Sequence, residues 1–158
     1  MYRICFVCLG NICRSPTAEG VFRQRLQAAH PEASVEIESA GTAGYHVGAP
    51  ADSRSRAVAA RRGYTLTSRA AQFTAKDFAR FSLVLAMDTE NLSNLEAICP
   101  DSFDGELKLF RDFDPQAESG ASVPDPYYGG ERGFEEVLDM CERTSDALIQ
   151  HLKSSGLL

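Results

Sequence analysis

The sequence predicts an α/β fold built on a mostly parallel sheet with right-handed crossovers, and two observations carry that expectation. Short apolar runs rich in β-branched residues alternate along the chain with longer stretches of helical spacing. The 158 residues, 44% of them hydrophobic, make one domain's worth of chain, enough to bury roughly 68–70% of the unfolded surface around a single core. Residues 1–158 are therefore expected as one domain.

The elements follow in order. Residues 3–8 are nearly continuous apolar sequence, as in a strand covered on both faces, and stop at Gly10-Asn11. From Pro16 onward Ala18, Val21, Phe22, Leu26 and Ala29 recur at helical spacing, with Ser15 as the expected N-cap and Pro16 at the first helical position. Residues 35–39 read as a strand, 52–62 as a helix ended by Gly63, 74–81 as a short helix and 82–87 as a buried strand. A helix over 88–98 carries Leu92 and Leu95, and a weaker strand follows over 106–110. The last helix, 133–151, places Phe134, Val137, Leu138, Cys141, Leu148 and Leu152 on one face. Between 111 and 133 the turn residues Pro115, Gly120, Pro124, Pro126, Gly129 and Gly130 predict a long loop; loops of that length inside a compact domain are usually functional or disordered, and the run Asp125-Pro126-Tyr127-Tyr128 is too aromatic for an idle linker.

Composition narrows the function classes. Sixteen basic against 22 acidic residues give a net charge of −6, and no Lys/Arg-rich run is interleaved with aromatics. A nucleic-acid or anionic-membrane surface is thus not expected, any anionic ligand must be held locally, and membrane insertion is not expected because no span approaches the roughly 18 apolar residues of a transmembrane helix. The first apolar stretch, residues 4–9, is shorter than the roughly 7–15 residues of a signal-peptide core, so the expected location is cytoplasmic. Five cysteines form no dense framework, which fits a reducing compartment. Cys99 and Cys141 read as core thiols, and His30, His46 and His151 show no partner by spacing.

The most informative segment lies where open α/β sheets bind ligands, beyond the carboxyl end of the first strand: Cys8-Leu9-Gly10-Asn11-Ile12-Cys13-Arg14-Ser15. Such a loop, wrapping into a helix N-terminus, turns backbone N–H groups inward as a nest for an anion. Gly10 and Asn11 tolerate the unusual backbone angles that wrapping demands. Arg14 adds a planar fork for two oxygens of a tetrahedral oxyanion, and Cys8 lies at the floor. A thiol at a helix N-terminus beside an arginine ionises far more readily than a free one. The loop is therefore read as both cradle and nucleophile, with the Ser15 hydroxyl placed to donate to the Cys8 sulfur. Cys5-x₂-Cys8 has metal-ligand spacing, but residues three apart on a strand face opposite ways, about 10 Å apart. No metal or cofactor is expected, and no nucleotide-binding glycine motif occurs. On residue type alone Asp125 reads equally as a turn residue before Pro126 or as an acid beside the aromatic pair Tyr127-Tyr128, themselves either loop anchors or walls for a flat ring.

With these residues in view, the sequence resembles the low-molecular-weight protein tyrosine phosphatases of bacterial type over nearly its whole length. The resemblance rests on Cys8 to Ser15 with Pro16, Ser39-Ala40-Gly41-Thr42, Val47-Gly48 with Asp52 and Arg54, Ala86-Met87-Asp88 with Asn91, and Asp125-Pro126-Tyr127-Tyr128. It implies a four-stranded parallel sheet flanked by helices and a phosphotyrosine hydrolase working through a phosphocysteine. It also implies roles: Cys8 as nucleophile, Arg14 as phosphate clamp, Asp125 as general acid, Asn11 and Ser39 as loop supports and Ser15 as thiolate stabiliser. Leu9, Ile12, Tyr45, Tyr127 and Tyr128 are implied at the pocket mouth, and Gly10 and Cys13 in the phosphate loop.

The chain departs from the family in carrying Tyr45 where many relatives have Trp, and Ser68-Arg69 where eukaryotic members have a His. That removes a His link to Asp88 and is expected to alter loop support rather than chemistry. The expected partner is a phosphotyrosine-bearing protein, with a bacterial tyrosine kinase as one candidate, and the chain is expected as a monomer or weak dimer. Arsenate reduction would need further cysteines close by, whereas Cys99 stands alone. Arginine-phosphate hydrolases resemble one another in a Thr where this chain has Ile12. A silent phosphate-binding or redox-sensing module built on Cys8 and Cys13 is the rival from another class.

Overall fold

In a computed structural model that describes residues 1–127 and 129–158, the chain alternates strand and helix as its apolar spacing dictates. Strand β1 (Tyr2–Cys8) leads to helix α1 (Arg14–Ala29), β2 (Val35–Gly41), α2 (Ser53–Arg61), a 3₁₀ turn (Ala75–Arg80) and β3 (Leu83–Ala86). Then come α3 (Thr89–Ile98), β4 (Glu106–Leu109), a second 3₁₀ turn (Phe110–Phe113) and α4 (Glu131–Ser154). The four strands pair in parallel in the order β2-β1-β3-β4. The connection out of β1 goes to one side and the later strands build on the other, so the order reverses between β1 and β3. That reversal is where open sheets place a ligand.

The two faces of β1 feed two hydrophobic layers. Ile4, Phe6 and Cys8 pack with α1, α2 and α4, through Phe22, Val58, Leu138 and Leu148 among others. Cys5 and Val7 pack with Phe73, Phe78, Val84 and Leu95 on the opposite side. Phe6, fully buried, meets Phe22 at 5.6 Å and Phe110 edge-on at 5.4 Å between ring centres. Truncating a phenylalanine so placed to alanine typically costs about 3–5 kcal/mol. Cys5 and Cys8 belong to opposite layers, so their spacing does not bring the two thiols together.

Several boundaries differ from expectation for physical reasons. Helix α1 starts at Arg14, not Pro16, and Ser15 does not cap it. The Ser15 hydroxyl is engaged with the preceding loop, and no side chain caps the helix, so its first N–H groups stay open toward that loop. Asp52 and Asp88 cap α2 and α3, accepting from the N–H groups of Arg54 and Asn91. Gly63, at φ +87°, ends α2 as expected. Residues 75–80 wind as a 3₁₀ turn, closed by reciprocal bonds between Thr74 and Asp77. Helix α4 begins two residues before Gly133 and runs three past His151, because Leu152 is still fully buried in the first layer. Cys141 lies in the core, whereas Cys99 caps α3 and is only half-buried against the second layer. Among the described residues no helix is long and apolar enough to cross a membrane.

Candidate active site

Cys8 ends β1 opposite Gly41, the last residue of β2, and the chain from 9 to 13 curls into a closed loop before α1. Three of its carbonyls are tied outward: Cys8 O accepts from Thr42 N at 2.9 Å, Leu9 O from Ala43 N at 3.0 Å and Ile12 O from Asp52 N at 2.7 Å. In a trans peptide the following N–H points the other way, so the amides of Leu9, Gly10 and Cys13 are left to the interior of the loop. The loop lies so close to β2 that a Cβ on Gly41 would stand 2.7 Å from Leu9 O, which only glycine avoids.

Asn11 is the one non-glycine at positive φ (58°) among the described residues. Its side chain holds that conformation from three directions. Nδ2 donates to Ser15 Oγ at 2.8 Å and to Ser39 Oγ at 3.0 Å, while Oδ1 accepts from Ala71 N at 3.0 Å. Its own N–H donates to Cys8 Sγ at 3.2 Å. Ser15 Oγ is 3.0 Å from that sulfur and 3.3 Å from Ala40 O, so its one proton has two acceptors, the sulfur being the nearer.

Arg14 is buried, and its guanidinium is fixed before any ligand arrives. Nη1 donates to Asp88 Oδ2 at 2.6 Å and to the Val123 carbonyl at 3.1 Å, and Nη2 stands 3.6 Å from Asp125 Oδ2. Burial works against its charge, but Cys8, Asp88 and Asp125 more than offset that and raise its pKa above the usual value. The two carboxylate oxygens of Asp125 have different neighbours. One carboxylate oxygen closes a turn by accepting from Tyr127 N at 3.0 Å, while the other faces Arg14. Burial pushes the Cys13 thiol up to about 12, with Asp52 adding to the rise.

These groups converge on a cavity of about 340 Å³. Of the residues singled out in the sequence, Cys8, Leu9, Gly10, Ile12, Cys13, Arg14, Tyr45, Asp125 and Tyr127 line it. Asn11, Ser15 and Ser39 stand behind the loop as its supports. Tyr128 lies outside the described residues. His46, to which spacing gave no role, also lines the cavity and packs its ring against Gly10. Its place next to Tyr45 was the only sequence signal.

The loop that carries Asp125 is fastened at both ends. Asp114, with a fully buried carboxylate, accepts from Arg111 at 3.0 Å, Arg143 at 2.9 Å and Gln116 N at 2.9 Å. Further on, Arg111 Nη1 donates to Ser122 O at 2.8 Å and Val123 N to Met87 O at 2.7 Å. On the other side of the mouth Arg54 binds the Asp52 carboxylate with two nitrogens and stacks on both Tyr127 and Phe134.

Comparison with known proteins agrees with this geometry. The family model described as low molecular weight phosphotyrosine protein phosphatase matches residues 3–156. The chain belongs to this family. A low molecular weight protein-tyrosine-phosphatase of Streptomyces coelicolor is 49% identical over 150 residues, covering 94% of this chain and 92% of that protein. The human low molecular weight phosphotyrosine protein phosphatase is 37% identical over 153 residues, with 93% of each chain covered. Among solved structures, a protein tyrosine phosphatase from Entamoeba histolytica with Hepes in the active site superposes with a TM-score of 0.93 at 40% identity. That match covers 99% of this chain and all of the other. In this low molecular weight phosphatase Asp88 has Arg14 as its partner, so the absence of a His at Ser68-Arg69 leaves it paired.

Proposed function

We propose that the chain hydrolyses phosphotyrosine on proteins through a phosphocysteine intermediate. The observation that supports this reading best is the placement of Cys8 Sγ in a loop of inward amides, with Arg14 clamped beside it and Asp125 facing that arginine. Cys8 attacks phosphorus in line, forming the S–P bond as the bond to the phenol oxygen breaks. Charge on the three equatorial oxygens is held by the loop amides and Arg14, whose geometry needs no rearrangement. Asp125 gives its proton to the leaving phenolate. It then takes a proton from water as that water displaces the cysteine and releases phosphate. Ser15 donates to the departing sulfur, and Ile12, Tyr45 and Tyr127 wall the aryl ring.

The substrate partner is a phosphotyrosine-bearing protein, a tyrosine kinase being the first candidate to test, and the working unit is a monomer or weak dimer in the cytoplasm. Release of p-nitrophenol from its phosphate in the presence of a metal chelator tests the reading. Turnover by the wild type and none by Cys8→Ser are expected. An inactive wild type that still binds phosphate would favour a silent binding module.

A further inference from the structure

We propose that Arg56 and Arg69, together with the loop carrying Tyr45 and Val47, form a docking surface for acidic residues that flank the phosphorylated side chain of a protein substrate. The inference rests on the reading of the pocket as an aryl-phosphate site and adds to it the class of peptide that is preferred. Its basis is a local inversion of charge. The whole chain carries −6, yet residues 42–72 hold Arg54, Arg56, Arg61, Arg62 and Arg69 against one carboxylate, Asp52.

Three of the five arginines are occupied. Arg54 is bound to Asp52, Arg61 to Glu131, and Arg62 to Glu135, Asp139 and Glu142 of α4. Arg56 and Arg69 are exposed and make no ion pair among the described residues. Each is instead held by a backbone carbonyl of one short segment, Arg69 Nη1 on Gly48 O at 3.1 Å and Arg56 Nε on Ala51 O at 2.9 Å. Those carbonyls are three residues apart, so at most roughly 11 Å of chain separates them.

The same segment continues into the wall of the cavity. Tyr45 and His46 line it, while Tyr45 is 75% and Val47 62% exposed. A peptide whose phosphorylated ring enters the cavity and whose flank crosses this rim meets two apolar side chains and then two guanidinium groups. Of the nearby carboxylates, Asp52 is committed to Arg54, and Asp125 faces Arg14 inside the site. Acidic side chains on the peptide complement what is left over. The protein's overall charge would repel such a peptide, so a preference for it can come only from a local patch.

The test compares kcat/KM for two phosphotyrosine peptides, one flanked by Asp and Glu and one by Gln and Ser, with p-nitrophenyl phosphate as a substrate that has no flanks. The wild type should favour the acidic peptide, and the preference should shrink as salt is raised. Exposed ion pairs are individually weak, so Arg56→Glu and Arg69→Glu should each lower the acidic-to-neutral ratio by about twofold to fivefold or slightly more, and the double variant should abolish the preference. Turnover of p-nitrophenyl phosphate should stay at the wild-type level in all three variants, which also reports that they fold. An acidic-to-neutral ratio near one in the wild type, or one unchanged in the double variant, overturns the proposal. Fluorescence anisotropy of the same two peptides on Cys8→Ser protein reads the preference without turnover. If the wild type fails on p-nitrophenyl phosphate the reading of the pocket falls, while the anisotropy ratio still decides the docking surface.

Discussion

The guanidinium carbon of Arg54 stands 5.2 Å from the centre of the Tyr127 ring, and the Phe134 ring lies 4.7 Å from the same carbon. One planar cation thus ties the wall of the pocket to the first turns of α4 while gripping Asp52, whose N–H holds the phosphate loop at Ile12 O. Arg54→Leu should remove this stacking support from the Tyr127 ring and raise KM for phenyl phosphates several-fold with a smaller change in kcat. Lysine offers a point charge without the flat fork, so Arg54→Lys should restore only part of the loss. Steady-state kinetics on phenyl phosphate would decide, and a kcat that fell as far as kcat/KM would instead place Arg54 in support of the nucleophile.

Asp125 reaches Arg14 while its other oxygen is held by the turn at Tyr127. In its proposed role as general acid it should matter in proportion to the basicity of the leaving group. Asp125→Asn is expected to slow phenyl phosphate turnover by about 10²–10⁴ and to spare p-nitrophenyl phosphate relative to it. Equal losses across a series of leaving groups would move the acid's role to another carboxylate.

Ile12 lines the cavity with its apolar side chain partly packed on the first layer. It offers a flat ring contact and a guanidinium no hydrogen-bond partner. Ile12→Thr should therefore shift the ratio of kcat/KM for phosphotyrosine over phosphoarginine peptides toward phosphoarginine. An unchanged ratio would assign Ile12 to packing alone.

Cys13 borders the same cavity as Cys8, and its thiol is held protonated by burial up to about pH 12. If peroxide converts Cys8 to a sulfenic acid, Cys13 can condense with it, forming a disulfide and releasing water. Attack requires the thiolate, so the sign is fixed: with a raised pKa the reactive fraction is small near neutrality and grows about tenfold per pH unit below 12. Quenched mass spectrometry should show a reversible Cys8–Cys13 link whose rate of formation climbs with pH. Cys8 carried to sulfinic acid with Cys13 still free at every pH would refute the pairing.

How much of this was legible in the sequence depended on whether the signal was contiguous. The strands and long helices follow from spacing, because each buries one repeated face. The phosphate loop could be read residue by residue because all its parts lie between 8 and 15. The start of α1 was misplaced because Ser-Pro is a general capping signal, and here the hydroxyl serves Cys8 and Asn11 instead. What holds Arg14 was not legible: one partner is a carboxylate 74 residues away, and the other is the carbonyl of Val123, an acceptor that every residue has. The stacking of Arg54 on Tyr127 was likewise hidden, since Arg beside Asp at a helix start looks like any capped terminus.

Asp114 and the Ser122–Val123 pair grip the acid loop at its two ends, and between them residues 115–121 run largely exposed, with Gly120 at φ +80°. Geometry at Asp125 is therefore set by the second grip and does not depend on how long the arc before it is. That makes the arc a natural port for engineering: a foreign peptide spliced between Glu118 and Ser119 would lengthen a solvent-borne bridge whose both abutments stay in place. Closing a longer loop costs little, about 0.6 kcal/mol for each doubling. The arc of residues 115–121 is thus the place where this phosphatase can be rewritten without touching its chemistry.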